Sequence, residues 1–357
     1  MNILPIRFCA PVFLFLAASC SSTAPQQSPA AAAEVNANRV HESGQSITTV
    51  HQFNLLMNKA AMNLASSFSF NYGGNIQELV RHSFWNDYTA SYKVVKSKNK
   101  LMLTMNLTDG TRLLAAHRSP NLESQLSSRE KKALRIARNI VSKCVVKGSD
   151  FDTIVKLHDY LIHEHESDIS GARDASSLLI DGRGNCWAYT VAMHLLLQMG
   201  GIPSHIVTGS ANGGPHAWNI VQLNNGEWYH IDTTWDDPIV RNHGGGNIES
   251  HKFFLLCDEH MGLDHSWNRA VFPKSGHSHA SYFKRRNIYF TSYEDFWQQA
   301  LHAYGNGDKE FEGWLSHYDE AEFRASMQKV LRGQKGPNGC SWLPLSRSEG
   351  AVLVQFE

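Results

Sequence analysis

The sequence has no charge of one sign to spare. Its 33 Lys and Arg stand against 33 Asp and Glu, for a formal net charge of zero. No block of like charge breaks that balance, so neither a nucleic-acid grip nor a charged tail is indicated. Past the first twenty residues no apolar run is long enough for a transmembrane helix. The His-Glu-x-x-His pattern of a helical metal site is also missing. In His163-Glu164-His165-Glu166, positions i and i+2 of a helix point apart, so the run reads as a solvated helix end. His277-Ser278-His279 lies in a loop and is assigned no metal, and no cofactor is expected. What the chain does have is histidine, 19 of them, so its charge rises as pH falls toward 6.

Arg7 precedes an apolar run from Phe8 to Ala18, too short for a stable membrane anchor. Residues 1–19 therefore read as a signal peptide. The ending Leu16-Ala17-Ala18-Ser19-Cys20 resembles a bacterial lipobox, which implies that Cys20 is acylated and becomes the mature N-terminus. Ala17 stands where Leu is commoner, so an ordinary signal-peptidase cut is the alternative. Ser21 after the cysteine implies, by the same resemblance, an outer-membrane destination in a Gram-negative host. Residues 20–46 are rich in Ser, Ala, Pro and Gln and read as a flexible tether.

Residues 47–119 read as a small α/β unit. Phe53, Leu56, Met57, Ala60, Ala61 and Leu64 recur at helical spacing. Phe68 to Tyr72 alternates as a strand, Ile76 to Val80 forms a short helix, and Tyr88–Val95 with Leu101–Leu107 forms a hairpin. Residues 285–357 repeat that order: a helix through Phe296, Ala300 and Tyr304, a strand Phe311–Leu315, a helix Glu320–Leu331, and a strand Ala351–Phe356. Neither unit shows a catalytic constellation. Between them lies a core, 120–275, opened by two amphipathic helices with capping-box spacing at Ser127/Glu130 and Ser149/Asp152.

Inside the core, Gly184-Asn185-Cys186-Trp187-Ala188-Tyr189 leads into an apolar run that closes at Gly200-Gly201. Asn185 suits an N-cap, and apolar residues all round the following turns predict a buried central helix. A thiol in a helix's first turn faces the positive end of the macrodipole, which favours thiolate. A lone cysteine there is more often a small core residue. Two strands downstream change that balance, because one opens with His216-Ala217-Trp218-Asn219 and the other runs Trp228-Tyr229-His230-Ile231-Asp232. A thiol, an imidazole and a carboxylate in that order are the parts of a nucleophilic catalyst.

From about Ser127 to Pro273 the chain resembles the transglutaminase-like, papain-related superfamily. Gly-Asn-Cys-Trp-Ala-Tyr is similar to its Gly-x-Cys-Trp-x-aromatic motif, and His-Ala-Trp-Asn to its His-x-Trp-Asn. Trp-Tyr-His-Ile-Asp-Thr-Thr-Trp-Asp-Asp-Pro is similar to bacterial members. The resemblance implies an α+β fold in which a catalytic helix packs on an antiparallel sheet, here flanked by the two small units. It implies a Cys186, His216, Asp232 triad acting on peptide or protein amides through a thioester. Peptide, protein or peptidoglycan-peptide substrates follow, with hydrolysis favoured over crosslinking for an enzyme at the cell envelope. The alternative is a catalytically silent surface module that uses the cleft for binding. Trp187 and Trp218 are candidate cleft walls, and Asn185 lies beside the candidate oxyanion donor, the Cys186 N–H. Ser176 stands where many bacterial relatives carry an aromatic second donor. With Cys20 and Cys186 assigned, Cys144, Cys257 and Cys340 remain, and an odd three gives no complete disulfide pairing.

Side-chain alternation tests the triad. A two-residue Asn225-Gly226 loop would put His216 and Asp232 on opposite faces of the hairpin. A three-residue loop pairs Leu223 with Glu227 and brings both onto one face as diagonal neighbours. Gly226 then takes the left-handed position such a loop favours. That register also gathers Ala217, Val221, Leu223, Tyr229 and Ile231 on the opposite face, so pattern and chemistry select the same pairing.

Overall fold

Thr49 starts the first helix by taking the Gln52 N–H on its hydroxyl, while the Gln52 side chain returns to the Thr49 N–H. The computed structural model describes residues 40–97, 100–237, 250–276, 281–331, 337, 340–344 and 350–356. Cys20, the leader and most of the tether lie outside them, as do His277 and His279. The described chain divides into two units, 1–135 and 136–357.

The first unit holds β1 (Val40–Ile47), α1 (Val50–Met62), β2 (Ser67–Tyr72), α2 (Ile76–His82), β3 (Thr89–Ser97), β4 (Lys100–Leu107) and α3 (Asp109–Arg118). Its sheet runs β1-β2-β4-β3, with β1 parallel to β2 and the other pairs antiparallel. Residues 40–46, expected to be tether, are thus strand. The backbone of β2 supplies the pairing there, which needs no apolar side chains from the joining segment. Burial alternates along β4, with Leu101, Leu103 and Met105 inside and Lys100, Met102 and Thr104 outside. One face of the sheet therefore carries the core, where Phe53 packs on Phe70 and Trp85.

Helix α4 (Ser128–Cys144) carries the division between the units. Its start has the expected box: Glu130 accepts the Ser127 N–H at 2.7 Å, and Ser127 Oγ accepts the Glu130 N–H at 3.2 Å. The second unit continues with α5 (Asp150–Glu164), β5 (Glu166–Ser167), α6 (Ala175–Asp181), β6 (Arg183–Gly184) and α7 (Cys186–Met199). Then come β7 (Ser204–Ala211), β8 (Gly214–Gln222), β9 (Trp228–Ile231), β10 (Phe254–Leu256), α8 (Asp258–Met261) and β11 (His265–Trp267). Every residue of α7 from Ala188 to Leu197 is buried, as an all-round apolar helix requires. It packs on the sheet β10-β9-β8-β7-β11, antiparallel throughout, and Asn219 Nδ2 donates to the Thr190 carbonyl of the helix. The fold class is therefore α+β, with the catalytic-type helix against an antiparallel sheet.

The hairpin pairs Val221 with Tyr229 and Asn219 with Ile231. Leu223 donates to the Glu227 carbonyl at 2.9 Å, and Gly226 sits at φ 82°. This is the three-residue loop chosen from side-chain parity. The expected apolar face is buried, and so is the other, since Trp218, Ile220 and His230 are each at most 1 % exposed. A sheet covered on both faces shows no clean polar–apolar alternation in sequence.

The chain ends with α9 (Ser281–Arg285), β12 (Tyr289–Phe290), α10 (Tyr293–Gly305), β13 (Glu310–Leu315), α11 (Glu320–Leu331), β14 (Cys340–Pro344) and β15 (Gly350–Phe356). Its sheet order, β12-β13-β15-β14, has the same parallel edge pair and antiparallel remainder as the first unit. Gly313 permits this packing, because a Cβ there would come within 2.9 Å of the Phe290 and Phe296 rings. One expectation fails at the end of α5. His165 is buried rather than solvated, with Nδ1 bonded to the Leu161 carbonyl, and burial holds its pKa below the usual value.

Candidate active site

Gly184 lets α7 begin where it does: a Cβ there would meet the Ala188 Cβ at 2.7 Å and a Leu178 methyl at 3.2 Å. Asn185 is the N-cap, its side-chain oxygen accepting the N–H groups of Trp187 at 3.0 Å and Ala188 at 3.3 Å. Its carbonyl takes the Tyr189 N–H. Of the first four helical donors, only the Cys186 N–H is left without an acceptor among the described residues. Cys186 itself is half-buried.

His216, near the start of β8, and Asp232, just past β9, meet as the register requires. His216 Nε2 donates to Asp232 Oδ2 at 2.6 Å. The Cys186 side chain lies near enough to the same ring to raise its pKa, and with Nε2 taken by Asp232, Nδ1 is the ring nitrogen left for a thiol proton. Burial alone would push the His216 pKa down, but the Asp232 charge, its hydrogen bond and the Cys186 contact outweigh that and raise it to about 10. Asp232 is wholly buried. Burial would raise its pKa, yet His216 and a second imidazole hold it well below the usual carboxylate range.

That second imidazole, His265, was not found by motif. It stands on the edge strand β11 and donates from Nε2 to the same Asp232 Oδ2 at 3.1 Å. Its Nδ1 meets Asp264 Oδ1 at 2.5 Å. Asp232 Oδ1 accepts the Thr234 and Trp235 N–H groups at 3.1 and 3.3 Å, so the carboxylate is held on every side. The one sequence cue was the adjacent Asp264-His265 pair, and adjacency does not say which distant acid the ring will reach.

Trp218 is no cleft wall. It is 1 % exposed, and its indole N–H donates to His230 Nδ1 at 3.0 Å, while His230 Nε2 donates to Asp258. Buried on a sheet covered by protein on both faces, the ring needs an internal acceptor, which takes its N–H away from any oxyanion. Trp187 is half-buried. Trp235, which sequence reasoning passed over, has its ring centre 5.3 Å from that of His216 and 4.6 Å from that of His265. Ser176 is buried in α6.

Among the described residues, two clusters bring ligand-type atoms within 4.8 Å of one another: His216, Asp232 and His265, and a second of His158, Asp159 and His251. Tetrahedral zinc separates its ligand atoms by roughly 3.3 Å. The 2.6 Å and 3.1 Å contacts at Asp232 are hydrogen bonds instead, and in the second cluster His158 and His251 each have a carboxylate on both ring nitrogens.

Residues 126–233, under a third of the chain, match the profile of the Transglutaminase-like superfamily, and Cys186, His216 and Asp232 all fall inside the match. No curated protein matches the chain. Among solved structures, a TGase resembles it at 14% identity and TM-score 0.29, over 53% of this chain and 55% of that one. A candidate cysteine protease from Cytophaga hutchinsonii resembles it at 13% identity and TM-score 0.27, over 44% and 65%. The periplasmic domain of TgpA from Pseudomonas aeruginosa, bound to ethylmercury, does so at 16% identity and TM-score 0.25, over 41% and 61%. The chain spans less than two thirds of each of these structures. A cysteine at the start of a buried helix, facing an imidazole on the sheet, within a segment that carries the family pattern, identifies residues 126–233 as a domain of the transglutaminase-like superfamily.

Proposed function

We propose that this protein is a thiol enzyme that cleaves peptide or protein amides, with Cys186 as nucleophile, His216 as acid–base and Asp232 as its orienting carboxylate. The observation that carries this reading is the His216 ring, bonded to Asp232 through Nε2 and close enough to the Cys186 side chain for the two to interact. His216 takes the thiol proton, and sulfur attacks the amide carbonyl. The Cys186 N–H, left without an acceptor among the described residues, stabilises the oxyanion as it forms. Collapse of the tetrahedral adduct breaks the C–N bond, and His216 gives its proton to the departing amine. Water, deprotonated by the same ring, then hydrolyses the thioester. Asp232 keeps the ring in one tautomer and stabilises its cation.

Hydrolysis is favoured over transfer to an amine by circumstance. The leader-like segment and the lipobox-like Cys20 support a place in the cell envelope on an acyl anchor, where water and peptide or peptidoglycan amides abound. One observation favours the silent binding module instead. With the Trp218 indole spent on His230, the described site offers a single oxyanion donor.

Alkylation with iodoacetamide, mapped by peptide mass spectrometry, separates the two. The enzyme reading expects Cys186 to label about tenfold or more ahead of Cys144 at pH 6, because burial raises the Cys144 thiol. Equal rates at the two cysteines, unchanged in His216→Ala, would leave the binding module as the better account.

A further inference from the structure

We infer that His265 is a positioning residue for this chemistry, so that the working set is Cys186, His216, Asp232 and His265, with Asp264 holding the fourth member. The inference rests on the catalytic reading above and extends it.

Asp232 has four donors from three separate pieces of chain. Its own loop supplies the Thr234 and Trp235 N–H groups, β8 supplies His216, and β11 supplies His265. A fully buried carboxylate is stable only while its oxygens are occupied. Without His265, Oδ2 would keep His216 alone. The carboxyl would become easier to protonate and free to turn, and His216 would hold the thiol proton less firmly. His265 is itself fixed: its ring is buried, Nδ1 is bound to Asp264, and Asn212 donates to the Asp264 carbonyl. The sheet edge is shaped to admit it. Gly209 pairs with both His216 on β8 and Trp267 on β11, and a Cβ there would collide with the Ser266 carbonyl and press on Trp218 at 3.0 Å.

The charged and titratable groups facing His265 are Asp232, Asp264, His216 at 5.6 Å between ring centres, and His230, whose pKa is lowered by burial first and by the His265 charge in smaller part. Lys252 faces Asp264 from the β10 side. The remaining neighbours, Trp218, Trp235 and Phe253, are uncharged. The two carboxylates dominate and hold the His265 pKa above its usual value against burial.

The test uses the full chain, with iodoacetamide as probe and the rate at Cys186 followed from about pH 5 to 8, where an ordinary thiol's rate climbs with pH. His265→Met keeps volume without a donor, and His265→Gln keeps a donor near the Nε2 position. Loss of one hydrogen bond to a buried charge corresponds to about a 10- to 100-fold effect. His265→Met should therefore slow Cys186 labelling at least tenfold at the acid end and move the profile to higher pH, while His265→Gln stays within about threefold of wild type. A purely structural histidine would lower the melting temperature without moving the pH profile and would gain nothing from glutamine. The inference is overturned if folded His265→Met overlays wild type, or if His265→Gln is as slow as His265→Met. Should His265→Met fail to fold, Asp264→Asn takes its place, and an unshifted profile there overturns it. If wild-type Cys186 labels no faster than Cys144, the catalytic reading itself has failed, a distinct result.

Discussion

Two clusters in the second unit are built alike and end differently. In one, Asp232 lies between His216 and His265, at 2.6 and 3.1 Å. In the other, Asp159 lies between His158 and His251, at 3.2 and 2.9 Å. The outer nitrogens of the second cluster both finish on acids, His158 on Asp236 at 3.1 Å and His251 on Glu312 of β13 at 2.8 Å. In the first, His265 finishes on Asp264, but His216 has the Cys186 side chain as its other neighbour in place of an acid. A carboxylate between two imidazoles is therefore a way to tie segments together, used twice in one fold. In the proposed mechanism, a thiol at a helix start in place of one terminal acid is what would give the first cluster its chemistry. The two are linked through the backbone, since the Asp236 N–H donates to the Asp232 carbonyl at 3.1 Å and Phe253 bridges the same two residues, taking the Asp232 N–H and donating to Asp236.

Matched deletions sharpen the contrast most. His216→Ala should lower turnover by about a thousandfold, the size of a general-base contribution, and should also lower stability, because it takes a partner from the buried Asp232. His251→Ala should affect stability alone. Removing one partner from a largely buried ion network costs about 3 kcal/mol, read as a lower urea midpoint, while Cys186 labelling stays within about threefold of wild type. Equal effects of the two variants on labelling would erase the distinction between the clusters.

A smaller effect is expected from pH. Burial would lower the His251 pKa, but Glu312 and Asp159 raise it to about 10. A histidine raised in the folded state stabilises fully below its unfolded pKa, about 6.5, and that contribution is lost as pH rises through the folded value. The urea midpoint should therefore fall between about pH 7 and 10, and His251→Gln should flatten part of that fall. Asp159 runs the other way: its pKa is lowered, so its contribution is present above about pH 4 and lost as pH drops below it. A variant whose alkaline slope matches wild type would show that His251 is not held as a cation.

The smallest effect tests the register beneath the first cluster. Gly226→Ala forces an alanine to φ 82° and should cost about 1 kcal/mol, with labelling of Cys186 unchanged because the loop is at the far end of the hairpin. A neutral substitution would mean the loop does not need its left-handed residue.

The reach of sequence reasoning follows from what each residue depends on. Asn185, Cys186 and the buried helix are set by local signals, a cap and an all-round apolar run, and they were legible. The His216–Asp232 contact was legible because one tight loop fixes parity over a short hairpin. His265 was not, because β11 is recruited to the sheet edge opposite Gly209–Ala211 from more than fifty residues away, and no local pattern names that partner. Trp218 was misjudged for the same reason: its acceptor, His230, lies across the hairpin, and burial on both faces hides the polar side of a strand. The strand at 40–46 escaped notice because its pairing is made by backbone, which composition does not record.

The claim at the centre of this account is that Cys186 forms an acyl-enzyme with help from His216. Intact-protein mass spectrometry after brief exposure to p-nitrophenyl acetate, quenched in acid, tests it directly. The account predicts one acetyl group per chain, mapped to Cys186, released on standing at neutral pH, and missing from Cys186→Ala and His216→Ala. Acetylation that survives in Cys186→Ala, or none at Cys186 in the folded wild-type protein, would contradict it.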